Sequence, residues 1–208
     1  MTIIATDLDG TIYKGHTLID GVKKGLLKII NEGIEIYYTT NNSSQSPNEI
    51  KDKLQNLLQL DIDISKVITP LVIFQNLYSD NKLNIYIYGS DNLKKYIKNL
   101  NMNVTSLENA EAILIGRKEE NNNSEINEII KNVSSGKNIM CLNKDLTFPT
   151  EFGEEAGNGA VVKIIEDELS IIIPTLGKSG NHYSSYFIQN KISVNFVIGD
   201  RVDTDIIF

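Results

Sequence analysis

Thr2-Ile3-Ile4-Ala5-Thr6-Asp7-Leu8-Asp9-Gly10-Thr11 opens the chain after its first methionine and decides the architecture. Residues 2–6 are short, apolar and β-branched with no polar alternation, the pattern of a strand buried on both faces. The run stops at Asp7-Leu8-Asp9-Gly10, so this strand delivers two acids to a loop. Over residues 21–31, Val22, Leu26, Leu27, Ile29 and Ile30 recur at helical spacing, and Gly33 is placed to cap the helix. Residues 34–38 form a second apolar run that ends in the polar cluster 39–46. Pro47 then opens an amphipathic helix to about Leu60. Strand and helix alternating in this rhythm predict an α/β fold with a parallel sheet covered by helices.

A further stretch repeats the alternation with its own elements. Residues 85–88, Ala112–Ile115 and 138–142 read as strands, with helices expected over 91–100 and 124–133. Residues 119–124 form a polar turn, and 194–198 a last strand ending at Gly199-Asp200. Polar clusters therefore follow several strands, which is where open parallel sheets hold ligands.

The 208 residues carry a net charge of −7, which argues against nucleic acid as a partner but not against a small anionic substrate held by local cations. Cys141 is the single cysteine, in the apolar run Ile139–Leu142, and reads as a buried small hydrophobe. A reducing, cytoplasmic setting is expected, since no disulfide can form within the chain. No apolar run approaches membrane-spanning length, and the opening run is too short for a signal peptide and leads straight into acidic residues.

Four clusters carry potential chemistry. In Asp7-Leu8-Asp9-Gly10-Thr11 a tight glycine turn can aim two carboxylates into one cleft, as a nucleophile and a general acid require; an Asp-capped turn is the plain alternative. A calcium loop fails, because its twelfth position counted from Asp7 is Leu18. Thr39-Thr40-Asn41-Asn42-Ser43-Ser44 offers hydroxyl, amide and backbone donors to an anionic oxygen, or simply caps a helix. Gly177-Lys178-Ser179-Gly180 suggests a P-loop, but Ile172 stands where that motif needs glycine. Gly199-Asp200-Arg201-Val202-Asp203-Thr204-Asp205 brings acids for a hard cation such as magnesium, or an acid-rich helix start.

Their combination and order resemble the haloacid dehalogenase superfamily. The finer pattern is similar to the NagD and 4-nitrophenylphosphatase-like branch, through Asp7–Tyr13, Thr39–Ser43, Asn143–Pro149, Gly157–Ala160 and residues 199–206. The resemblance implies a Rossmann-like core over residues 1–81 and 175–208, with an α/β cap domain inserted at 82–174. It also implies a magnesium-dependent phosphatase acting on a small phosphorylated metabolite through an aspartyl-phosphate. Asp7 would be the nucleophile and Asp9 the general acid and base. Magnesium would be held by Asp7, the Asp9 carbonyl and Asp200. Gly10, Thr40, Asn41 and Asn42 would surround the phosphoryl group, Lys178 would neutralise it, and Asp205 would orient Lys178 or a metal-bound water. A homodimer through the cap is implied as well.

Two departures stand out. Ser179 replaces the usual proline after the motif lysine. The sequence also ends directly after the last motif, at residues 206–208, which predicts a core truncated at its C-terminus and a strand 194–198 short of a neighbour. The early end motivates a second reading, a catalytically impaired domain that binds metal or phosphate without turnover.

Overall fold

A computed structural model describes residues 2–78, 83–150 and 153–205. The first strand, β1 (Ile3–Thr6), is buried along its whole length. A small hairpin follows, β2 (Tyr13–Lys14) and β3 (Thr17–Leu18), and then α1 (Val22–Asn31). Gly33, at φ 72°, takes the left-handed turn after α1 that its placement predicted. Next come β4 (Glu35–Thr39) and α2 (Pro47–Leu58). Helix α2 starts on a reciprocal cap between Ser46 and Glu49 and buries Ile50, Leu54 and Leu58 along one face. It stops two residues before the expected Leu60, because Gln59 turns left-handed at φ 53°.

The chain continues through β5 (Val67–Ile68) and α3 (Pro70–Tyr78), neither evident from the sequence pattern. The expected second stretch appears as β6 (Asn84–Tyr88), α4 (Asp91–Asn99), β7 (Asn103–Val104), β8 (Ala112–Ile115), α5 (Asn123–Ser134) and β9 (Asn138–Cys141), of which the two-residue β7 was not expected. Helix α5 thus begins inside the expected 119–124 turn, capped by Asn122. An antiparallel pair, β10 (Thr147–Thr150) and β11 (Gly153–Ala156), leads to α6 (Asn158–Leu169) and α7 (Asn181–Gln189). The last elements are β12 (Phe196–Ile198) and the single turn α8 (Val202–Asp205).

Two parallel sheets result, ordered β12-β1-β4-β5 and β7-β6-β8-β9. The expected strand 194–198 is shorter, since Asn195 bonds Ile3 with its side chain as well as its backbone. β12 lies at the sheet edge with Phe196 61% exposed, yet it still grips β1: the Asp7 amide donates to the Ile198 carbonyl at 2.8 Å.

One hydrophobic cluster spans both sheets. Ile68 of β5, Phe74 of α3 and Tyr183 and Phe187 of α7 pack with Ile85 and Ile87 of β6 and Leu114 of β8. Helices α3 and α7 therefore join the sheets through buried apolar side chains, and the second sheet is not tethered by linkers alone. The expected domain boundary between residues 81 and 82 lies outside the described residues. Residues 174–176 run hydrogen-bonded beside Cys141 at the end of β9.

Candidate active site

A cleft of about 390 Å³ opens between the ends of the two sheets. Asp7, Asp9, Thr40, Asn41, Asn42, Lys178, Asp200 and Asp205 all line it, so the clusters from four parts of the chain converge. Gly10 turns beneath it at φ +95°, where a Cβ would lie 2.1 Å from Asp200 Oδ2. The glycine is needed both for its backbone angle and for the close approach of that acid.

Lys178 is the centre of the arrangement. The failed P-loop pattern around it gave no reason to expect burial, yet it is only 2% exposed. Its ammonium donates to Asp7 Oδ1 and, at 2.7 Å, to Asp205 Oδ1. Asp205 is fixed in turn by the Arg201 amide, which donates to Oδ2 at 3.0 Å. The other Asp7 oxygen, Oδ2, is buried without a hydrogen-bond partner. Burial raises the Asp7 carboxyl to about 6, against the opposing pull of Lys178. Burial also raises Asp9, opposed by Lys53 and by a long hydrogen bond from Tyr13.

The carboxylate oxygens of Asp7, Asp200 and Asp205 come within 4.8 Å of one another, an all-oxygen set suited to a hard divalent cation. A buried, unpartnered oxygen of Asp7 fits the same ion, since a desolvated carboxylate oxygen needs a donor or a cation. Among the described residues, the Asp9 carboxylate is not part of this cluster.

The Thr40–Ser43 loop holds its shape internally. Thr40 Oγ1 accepts the Asn42 amide at 2.9 Å and lines the cleft, where its hydroxyl can donate to a ligand. Asn42 Oδ1 accepts from the Ser44 and Gln45 amides, so this side chain shapes the loop as well as lining the cleft. The far wall is polar and comes partly from the second sheet: Arg117, Asn143, Asp145, Thr147 and Asn158. Their roles were missed; the stretches containing four of them entered only through the family resemblance, and no pattern pointed to Arg117. His16 is exposed at the rim of the cleft, while His182 is exposed and is not among the residues that line it.

Comparison with known proteins places this geometry. Residues 4–103 match the family model of the haloacid dehalogenase-like hydrolases. An acid sugar phosphatase of Staphylococcus epidermidis is 28% identical over 206 residues, covering 96% of this chain and 79% of the relative. Among solved structures, a p-nitrophenyl phosphatase from Archaeoglobus fulgidus superposes with TM-score 0.89 at 18% identity, covering 99% of this chain and 81% of that one. A glycerol phosphate phosphatase from Mycobacterium tuberculosis, solved in complex with magnesium, gives TM-score 0.82 at 24% identity over 98% of this chain and 63% of that one. Over residues 4–103 the chain matches the haloacid dehalogenase-like hydrolases, and over 96% of its length it is similar to an acid sugar phosphatase.

Proposed function

We propose that this chain is a magnesium-dependent phosphomonoester hydrolase for small phosphorylated metabolites of the sugar phosphate class, working through an aspartyl-phosphate on Asp7. The observation that carries the reading is the buried triad in which Lys178 bridges Asp7 and Asp205 while Asp7 Oδ2 stays unpartnered beside the cleft. Residues 82–174 act in this reading as the cap over a core formed by the rest.

In the first half-reaction an Asp7 carboxylate oxygen attacks phosphorus in line and the ester P–O bond breaks. Asp9, whose carboxyl burial raises above its ordinary range, gives its proton to the departing alkoxide. In the second half, the Asp9 carboxylate takes a proton from water, whose oxygen attacks phosphorus and breaks the bond to Asp7. Inorganic phosphate leaves, and both acids return to their starting states. Thr40 donates to a phosphoryl oxygen, and Lys178 supplies positive charge there while holding Asp7 in line. Asp7, the Asp9 carbonyl and Asp200 would hold magnesium, with Asp205 adjacent through Lys178. When bound, the ion supplies charge neutralisation for the phosphoryl oxygens and the carboxylates. Three clustered carboxylates face a single lysine, so a dianionic phosphate would otherwise meet net negative charge.

Two observations support a polyhydroxylated leaving group. The described residues lining the cleft include no Phe, Tyr or Trp and no large aliphatic side chain. The curated relative is an acid sugar phosphatase. The assembled, buried triad supports turnover over the impaired reading, because binding alone needs no lysine fixed on the nucleophile. The test is hydrolysis of an aryl phosphate and of sugar phosphates in magnesium and in chelator, with Asp7→Asn as the variant. Turnover should vanish in both the variant and chelator. Retention of more than about 1% activity in the Asp7→Asn variant would remove the nucleophile assignment, since covalent and oriented groups supply far larger factors.

A further inference from the structure

The loop after β9 reaches from the second sheet into the phosphate end of the cleft. Asn143, buried there, donates through Nδ2 to the Asn41 carbonyl at 2.8 Å and to Ser43 Oγ at 3.1 Å. Asn41 accepts the Lys178 amide on Oδ1 at 2.8 Å and donates through Nδ2 to Asp145 Oδ1 at 3.1 Å. The Asp145 amide returns to Asn143 Oδ1 at 3.3 Å, which closes a ring of contacts.

The ring is supported from behind. Asn158 Nδ2 donates to the carbonyls of Asn143 at 2.9 Å and Ile115 at 3.2 Å. A Cβ on Gly157 would lie 2.1 Å from the Asp145 carbonyl, one on Gly159 2.2 Å from that of Lys144, and one on Gly177 2.7 Å from Asn41 Oδ1. Three glycines thus let these loops pack closer than side chains would permit.

Both Nδ2 hydrogens of Asn143 are committed to the Asn41–Ser43 loop, so neither is available to a substrate. We propose that Asn143 is a positioning residue: it fixes the Thr40–Ser43 loop and, through Asn41, the backbone of Lys178. The second sheet therefore sets where the phosphate donors and the lysine stand relative to Asp7. A buried amide spanning two loops suits this role, because its two donors must be satisfied together or lost together. The kinetic consequence rests on the phosphatase reading; the contact itself does not.

Asn143→Asp tests it, since the shape is kept while a donor becomes an acceptor facing the Asn41 carbonyl. Amide hydrogen exchange should speed up about tenfold or more in residues 40–46 and 176–180, with residues 50–58 unchanged. With an aryl phosphate in magnesium, kcat should fall about 10- to 100-fold while KM stays within about threefold, as expected when binding survives and alignment is lost. Unchanged exchange, or an unchanged kcat in a folded variant, would overturn the proposal. A wild-type chain without turnover would refute the phosphatase reading by itself, and exchange alone would then decide the clasp. If Asn143→Asp does not fold, Ser43→Ala removes one of the same two acceptors, and the same exchange comparison applies.

Discussion

Replacing Lys178 by Met probes the centre of the site, because methionine fills much of the same channel without charge. Lys178 and Asp205 are each 2% exposed, and the ammonium bridges Asp205 and Asp7. The substitution strands two buried carboxylates, and breaking a buried ion pair from one side costs about 3–5 kcal/mol. Asp7 should contribute less than Asp205, because burial already raises its carboxyl to about 6 and a protonated acid strands no charge. For a domain of this length each kcal/mol moves Tm by about 2–4 °C, so the expected fall in chelator is about 6–20 °C. Thermal unfolding followed by circular dichroism measures it. Adding Asp205→Asn to the variant should recover part of the loss, since one stranded charge is then gone. Magnesium should recover more in the variant than in the wild type, because a divalent ion can take over the lysine's compensation. A Tm within about 2 °C of wild type would refute the reasoning, because that is less than one kcal/mol and no buried charge would have been stranded. Activity should fall by about 10²–10³-fold in the same variant, the cost of removing one preorganised electrostatic partner.

Gly10→Ala should weaken magnesium activation about 10- to 100-fold, since its Cβ must displace Asp200; this is measured by titrating activity with the metal, and unchanged activation would contradict the close approach. Cys141 should ignore thiol reagents in the native state and react once on denaturation, because burial pushes its thiol up to about 12 and hides the sulfur. Burial alone would raise Glu125, but hydrogen bonds from Lys118 and Tyr86 and the lysine's charge outweigh it and hold the carboxyl below its usual range. Its contribution is therefore present above the ordinary value of 4.5 and lost as pH falls through the lowered one. Glu125→Gln should cost about 1 kcal/mol at neutral pH, discounted for partial solvent exposure, and its Tm difference from wild type should close in acid.

The sequence by itself determined the strand that carries Asp7, the parallel α/β alternation and the residues that converge on the cleft. Those features are local: an apolar run, a capping pattern or a glycine turn is written within a few adjacent residues. The short strand β5 and helix α3 escaped, because a two-residue strand has no periodicity and α3 is apolar on most of its faces. Helix α6 begins at Gly157-Asn158-Gly159, which looks like a turn until Asp145 and Lys144 are seen packed against the missing side chains.

Only the tertiary structure decided the environment of Lys178. Nothing near Gly177-Lys178-Ser179 distinguishes a solvated lysine from a buried one; its partners lie 171 residues upstream and 27 downstream. The same holds for Asn143, whose acceptors sit about a hundred positions away in the loop after β4. Hydrogen bonds and charge pairing depend on distance in space, which the sequence encodes only through the packing of the whole chain. The acids were legible from their order, whereas the lysine that holds them and the amide clasp beside it were fixed by which loops the two sheets bring together.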